Sequence, residues 1–317
     1  MRRFPLIPAA VSVLGLAAVG LVGCTAPSSA ACERPDLDRA VLDAVTVSTD
    51  IDTAAEISVY PQFRATDIAV RDVVTGEGMA VENDGQLVGL NLTIVNGRTG
   101  EPALEQAYNP IPLTVLQGAI PALPEILHCA TEGTRTVVAL APGDIEEGSA
   151  TSIGIGPDDS AVAVIDVRTV YRAKADGADV FQSGFGLPSV VRATNGRPGV
   201  TIPDAAPPTE VVVQTIKRGT GPVVTGEQPV RIHLTGTVWE TREEFQSTWE
   251  SEPPSITLGS FLPALDEALE GETVGSQVLV VVPPSEGFGN EAQGAVPANS
   301  TLVFVVDILG LDDAPTQ

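Results

Sequence analysis

Gln86-Leu-Val-Gly-Leu-Asn-Leu-Thr93 and Gln228-Pro-Val-Arg-Ile-His-Leu-Thr235 read as one strand written twice, 142 residues apart. Pro121-Ala-Leu-Pro-Glu-Ile-Leu127 and Pro263-Ala-Leu-Asp-Glu-Ala-Leu269 keep the same offset. So do Gly133-Thr-Arg-Thr-Val-Val-Ala-Leu140 and Gly275-Ser-Gln-Val-Leu-Val-Val-Val282, while Ala163-Val-Ile-Asp166 and Phe304-Val-Val-Asp307 follow at 141. Four blocks in one order at nearly constant spacing mark an internal repeat. The chain carries two copies of one fold.

The second copy shows its elements most clearly. A strand around Val211–Lys217 meets a Gly219-x-Gly221 turn, and an alternating strand follows at Val230–Val238. A helical stretch runs from Leu262 to about Glu270, then a strand at Gln277–Val282. The turn-rich segment Pro283–Ser300 leads to a last strand, Thr301–Leu309. Leu262, Leu265 and Leu269 fall at i, i+3 and i+7, so the helix presents its apolar stripe to the sheet. The expected class is α+β: two tandem domains, each an antiparallel sheet wrapped on one short helix. The Gly-x-Gly turns are followed by neither a helix nor a Lys-Ser/Thr pair, which makes them hairpin turns rather than phosphate loops. Between the copies, Arg172–Glu210 is rich in Pro, Gly and Asp, and reads as a linker packing locally through Phe181, Phe185 and its Val and Leu residues.

At the N-terminus, Arg2 and Arg3 precede an almost uncharged apolar run that ends Leu21-Val22-Gly23-Cys24. This is the pattern of a secretory signal, and its ending resembles the lipobox of bacterial lipoproteins, in which the Cys receives lipid. The alternative is an ordinary signal cut nearby, with Cys24 a spectator. The expected layout is a signal peptide at 1–23, a lipid-anchored tether at 24–55, a first domain at 56–172, a linker at 173–207 and a second domain at 208–314. That layout places the protein on the extracytoplasmic face of the cell membrane.

The chain has a formal net charge of −24, and loss of residues 1–23 moves it to −26. Such a surface repels phosphate backbones, so nucleic acid is not expected as a partner. Cys32 and Cys129 remain once Cys24 is lipidated. In an oxidising compartment they are a candidate disulfide closing a loop of about 98 residues, worth up to about 4–5 kcal/mol in the chain-entropy model. Two unpaired thiols are the alternative. His128 and His233 are the only histidines, no Cys/His cluster has ligand spacing, and no metal or cofactor is expected.

Six motifs of the second repeat resemble the FKBP-type peptidyl-prolyl cis-trans isomerases, in family order. They are Arg231-Ile-His-Leu-Thr-Gly236, Glu244-Phe-Gln-Ser247, Gly275-Ser-Gln-Val-Leu279, Val282-Pro-Pro-Ser285, Gly287-Phe-Gly289 and Val296-Pro297 with Thr301-Leu-Val-Phe304. The resemblance covers about residues 208–312; the first repeat shares it only through its likeness to the second. It implies an apolar pocket in which Phe245, Phe288, Phe304 and Leu262 serve turnover and Leu234, Gln246, Phe261, Leu265 and Val296 serve binding. The backbone N–H of Leu262 would hold the ligand carbonyl. Four positions depart from the family pattern: Leu234 and Phe288 stand where Tyr is usual, Gln246 where Asp is, and Leu265 where Trp is.

The resemblance implies a peptidyl-prolyl isomerase, or folding helper, acting on proline-containing segments of exported proteins. A non-catalytic module binding such segments in the same cleft is the rival reading. A solute-binding lipoprotein is a third class, and two self-contained domains argue against it. The first repeat has Ala163 at the place of Phe304 and Leu104 near that of Phe245, so it is expected to be a spacer or interaction domain.

Overall fold

Ten principal strands make two sheets with the same plan. The computed structural model describes residues 32–83, 85–181, 184–260 and 262–312. The signal segment and Cys24 lie outside them, as does Phe261. The first sheet holds β1 (Ala69–Val74), β2 (Leu87–Asn96), β3 (Pro102–Pro112), β4 (Arg135–Leu140) and β5 (Ala161–Val170), in the order β1-β4-β5-β2-β3. The second holds β6 (Val212–Arg218), β7 (Val230–Val238), β8 (Glu244–Ser247), β9 (Gln277–Val282) and β10 (Leu302–Leu311), in the order β6-β9-β10-β7-β8. Every pairing is antiparallel. The repeat seen in sequence is thus a repeat of topology.

Helix α1 (Leu123–Leu127) packs on the first sheet and α2 (Pro263–Leu269) on the second. Pro sits at the start of each, where its missing N–H costs nothing and its fixed φ suits the helix. The first repeat adds two short helices, Leu113–Gln117 and Glu147–Ser152, that were not expected. Both Gly-x-Gly turns are held by the same clamp. The Thr131 hydroxyl donates to Gly76 O and lies 3.1 Å from the Thr134 hydroxyl; Thr273 and Ser276 repeat this at Gly219. A Cβ on Gly219 would lie 2.2 Å from Val274 O, which is why the turn takes glycine there.

The face of each sheet away from its helix is also apolar, and the tether and linker of the expected layout turn out to cover it. From residue 33 onward the supposed tether is folded. A 3-10 turn at Ala40–Ala44 and a hairpin of Val45–Val47 with Ile57–Val59 bury Leu42, Val59 and Phe63 against Val95, Val137, Val162 and Val164. The supposed linker does the same for the second sheet. Its hairpin, Ser189–Arg192 with Pro198–Thr201, brings Val190, Val200 and Ile202 onto Trp239, Leu279, Val281, Val303 and Val305. Ala178–Asp179 adds to the edge of β6. The local packing expected of Phe181 and Phe185 is not found: they are 91% and 103% exposed. The two hairpins also sit about 142 residues apart, so the duplicated unit is longer than the sequence blocks indicated.

A buried polar tie links each hairpin to its sheet. In the first, Arg135 donates to both Asp166 oxygens at 2.6 and 2.7 Å, and to the carbonyls of Ser48, Asp50 and Thr53. In the second, Gln277 takes the place of Arg135 and donates to Asp307, while Arg192 of the hairpin donates to Gln277 at 2.8 Å. Asp307 also accepts from the N–H of Ala175 at 2.8 Å. With no cation in direct contact, burial pushes the Asp307 carboxyl up to about 6. The repeats meet at Tyr171, which is fully buried. Its hydroxyl lies 2.5 Å from Asp312 and 3.2 Å from the Tyr108 hydroxyl, and the Arg231 guanidinium lies 5.5 Å from its ring centre. The described residues from 33 onward form one compact unit.

Two predictions test this account. Ile202→Ala should cost about 2–4 kcal/mol by emptying a buried site, whereas Phe185→Ala should change stability by less than about 0.5 kcal/mol; chemical denaturation of both variants compares them. Asp307 binds its proton more tightly folded than unfolded, so its contribution to stability grows as pH falls from about 6 toward 3.8. Asp307→Asn removes that gain. The stability of this variant relative to the parent should therefore drop by about 2–3 kcal/mol between pH 7 and pH 4. His233, lowered to about 4 by burial, loses stability over the same range, but equally in both proteins.

Candidate functional site

The helix-side core of the second repeat gathers most of the residues singled out in the sequence. Leu234 on β7, Phe304 on β10, Leu265 on α2 and Val296 are 1–2% exposed and form a floor. Phe245 on β8, Leu262 and Phe288 pack against the floor but remain half-buried, and so make a rim. Gln246 points away from this cluster and is exposed, as strand alternation requires when Phe245 faces inward. Only Phe261, outside the described residues, cannot be placed.

The two central rings are set by a glycine. Gly236 on β7 pairs with Gln246 on one side and Phe304 on the other. Phe245 lies across it, and a Cβ at Gly236 would stand 2.7 Å from the Phe245 ring. The missing side chain lets Phe245 and Phe304 meet edge to face, with centroids 5.7 Å apart and planes at 81°. That geometry suits the positive edge and negative face of aromatic rings.

Leu262 caps α2 in an extended conformation, and its carbonyl accepts from Leu265 and Asp266 at 2.8 and 3.1 Å. Among the described residues its own N–H meets no acceptor, so a donor stands beside the apolar floor. Phe288 follows a 3-10 turn at Pro284–Glu286. Gly289 closes that turn by donating to Pro284 O at 2.9 Å, and a bridge between Gln293 and Val296 delivers Val296 to the floor.

The equivalent place in the first repeat is filled differently. Ile94 stands at the register position of Gly236, pairing with Leu104 and with Ala163. Aliphatic volume on β2 replaces the two rings, and Ala163 is fully buried. No aromatic pair forms there. Elsewhere, Cys32 and Cys129 are both disulfide-bonded.

Phe304 and Leu234, which the family resemblance puts in the site, both face the helix-side core. The short strand β8 and the dependence of Phe245 on Gly236 were missed, although a glycine inside a strand is itself a sign of close approach. Gly236→Ala should displace Phe245 from Phe304, lower stability by about 1–3 kcal/mol and weaken any ligand held between the rings by about tenfold. Thermal unfolding and peptide titration measure the two effects.

Comparison with known proteins agrees with this geometry. Residues 221–309 match the FKBP-type peptidyl-prolyl cis-trans isomerase family. A relative from Streptomyces anulatus, an FK506-binding protein, is 28% identical over 120 residues, covering 36% of this chain and 97% of the relative. The FKBP-type peptidyl-prolyl cis-trans isomerase FkpA of Escherichia coli K12 is 31% identical over 107 residues, 34% of this chain and 40% of that protein. Among solved structures, the three FKBP domains of wheat FKBP73 align at 16% identity and a TM-score of 0.32, covering 77% of this chain and 94% of that one. The likeness to the FKBP-type peptidyl-prolyl cis-trans isomerases is thus shown for residues 221–309.

Proposed function

We propose that the second repeat isomerises X-Pro bonds in polypeptides outside the cytoplasm, with the chain held to a membrane by lipid on Cys24. The observation carrying the reading is the Phe245–Phe304 pair over a buried apolar floor of Leu234 and Leu265, beside the N–H of Leu262, which meets no acceptor among the described residues. An X-Pro bond isomerises in tens of seconds or longer unaided because rotation breaks amide resonance. An apolar cleft that seats the proline ring and grips the preceding carbonyl more firmly in the twisted state lowers that barrier without a nucleophile. The half-buried rim of Phe245, Leu262 and Phe288 leaves an entrance for the chain. The signal-like start and Cys24 support the location.

A second reading, binding without turnover, is favoured by one feature. Leu234 and Phe288 offer no hydroxyl and Gln246 faces solvent, so the cleft has few polar handles. The two separate in one experiment on the chain from residue 24, with Cys24→Ser. Cis-to-trans relaxation of a proline tetrapeptide should be faster than in buffer, and Phe245→Leu should lower kcat/KM about tenfold while costing under about 1.5 kcal/mol of stability. A rate equal to buffer at high micromolar protein, with the peptide still bound, would establish the binding reading instead.

A further inference from the structure

Outside the aromatic cleft, the first repeat brings a disulfide and an imidazole together. Cys32 and Cys129 are bridged, and their two sulfurs and a ring nitrogen of His128 all lie within 4.8 Å of one another. Cys32 and His128 are exposed, whereas Cys129 is buried. One half of the bridge therefore faces solvent, and the inner half sits beside a group that can give or take a proton. The exposed His128 side chain can close the remaining gap by turning. While the bridge stands neither sulfur is a thiolate, so the cluster is a redox group rather than a metal site.

A disulfide that alone holds a segment in place cannot open and close without unfolding it. This one has help. Two residues beyond Cys32, Arg34 donates to the Asp72 oxygens at 2.7 and 2.9 Å and to the carbonyls of Ile126 and His128, both at 2.7 Å. The Val70 N–H then donates to Leu37 O at 2.9 Å. On the other side, the Cys129 N–H donates to Val81 O at 2.8 Å and the Val81 N–H to Ala130 O at 2.9 Å. Both cysteines are thus placed by bonds that do not involve sulfur, and the two thiols of a reduced pair stay within reach of each other.

From this placement we infer that the Cys32–Cys129 pair exchanges with the thiols of unfolded polypeptides, with His128 serving the leaving sulfur. A client thiolate attacks the exposed Cys32 Sγ. The Cys32–Cys129 bond breaks as a client–Cys32 bond forms, and the electron pair leaves on Cys129 Sγ. His128 gives that thiolate a proton or a hydrogen bond, which makes it the better leaving group. A second client thiolate attacks the client sulfur of the mixed disulfide and releases Cys32 as a thiolate. The client gains a disulfide and the pair gains its two electrons. A small-molecule disulfide such as oxidised glutathione restores the bridge by the reverse path. The exchange is independent of the prolyl site and acts on the same class of chain.

The test uses the chain from residue 24 with Cys24→Ser, equilibrated in glutathione buffers of graded ratio. Alkylation followed by mass spectrometry reads the reduced fraction. The pair should be half-reduced within millimolar glutathione mixtures, and the reduced chain should keep its circular dichroism. His128→Ala takes the partner from the leaving thiolate. It should raise the ratio of reduced to oxidised glutathione needed for half-reduction about tenfold and slow the exchange by a similar factor. A reduced synthetic peptide with two cysteines should gain one disulfide per protein bridge, with a mixed disulfide at Cys32 trapped on acid quenching. A bridge that stays oxidised in about 10 mM reduced glutathione, as a purely structural disulfide does, would overturn the inference. So would unfolding on reduction, or an equilibrium and rate unmoved by His128→Ala. Isomerisation of the proline tetrapeptide should be equal for the oxidised and reduced chains. It judges the prolyl site separately, so either reading can fail alone, and a rate that changes on reduction would overturn their independence.

Discussion

A single-layer sheet has two faces, and in this protein both are apolar. β10 shows why in five residues: Leu302, Phe304 and Val306 look toward α2, while Val303 and Val305 look the other way. Water must be kept from both sides, since each exposed Val or Leu forfeits about 1.5–3 kcal/mol of burial. The helix can cover only one. The hairpins at Val45–Val59 and Ser189–Thr201 supply the other layer, and from that requirement follows the true extent of each repeat.

The alternation and the repeated blocks made the sheets, their central strands and α2 legible in the sequence. The covering hairpins were not legible. Their strands are three or four residues long and interrupted by Pro and Gly, and their apolar residues are spaced too widely to announce a period. Pro-rich composition suggested linkers, and the physical correction is that a short segment can be irregular in pattern yet fixed by the face it lands on. Within the same segment the expected packing is met by Val190 and Val200, joined by Ile202, and not by Phe181 and Phe185, which are exposed. The candidate site was legible through the family motifs, at Leu234 and Phe304, and hidden where it depended on an absent side chain, at Gly236.

The buried ties show how one constraint can be met by two chemistries. Each hairpin must be bonded to its sheet without stranding a buried polar group, because such a group costs about 1–3 kcal/mol. The first repeat places the cation on the sheet, where Arg135 bridges Asp166 and three hairpin carbonyls. The second places it on the hairpin, where Arg192 reaches Asp307 only through Gln277. The carboxylate keeps its register position in both. Moving the cation one residue away from Asp307 leaves that charge less compensated, and burial raises the carboxyl to about 6.

The same trade governs the two cores. Both must fill the space between the strand pair and the helix to the density of a protein interior. The first repeat fills it from β2, with Ile94 against Leu104 and Ala163. The second leaves β7 bare at Gly236 and fills from the neighbours, with Phe245 and Phe304. The choice decides what the surface can do. A side chain rising from the central strand closes the core beneath it, whereas a ring laid in from the edge strand β8 has one side on the floor and one side toward water. Volume supplied from the edge leaves a half-buried ring at the surface; volume supplied from the centre closes the core. The difference between the two cores is thus a difference in which strand carries the bulk.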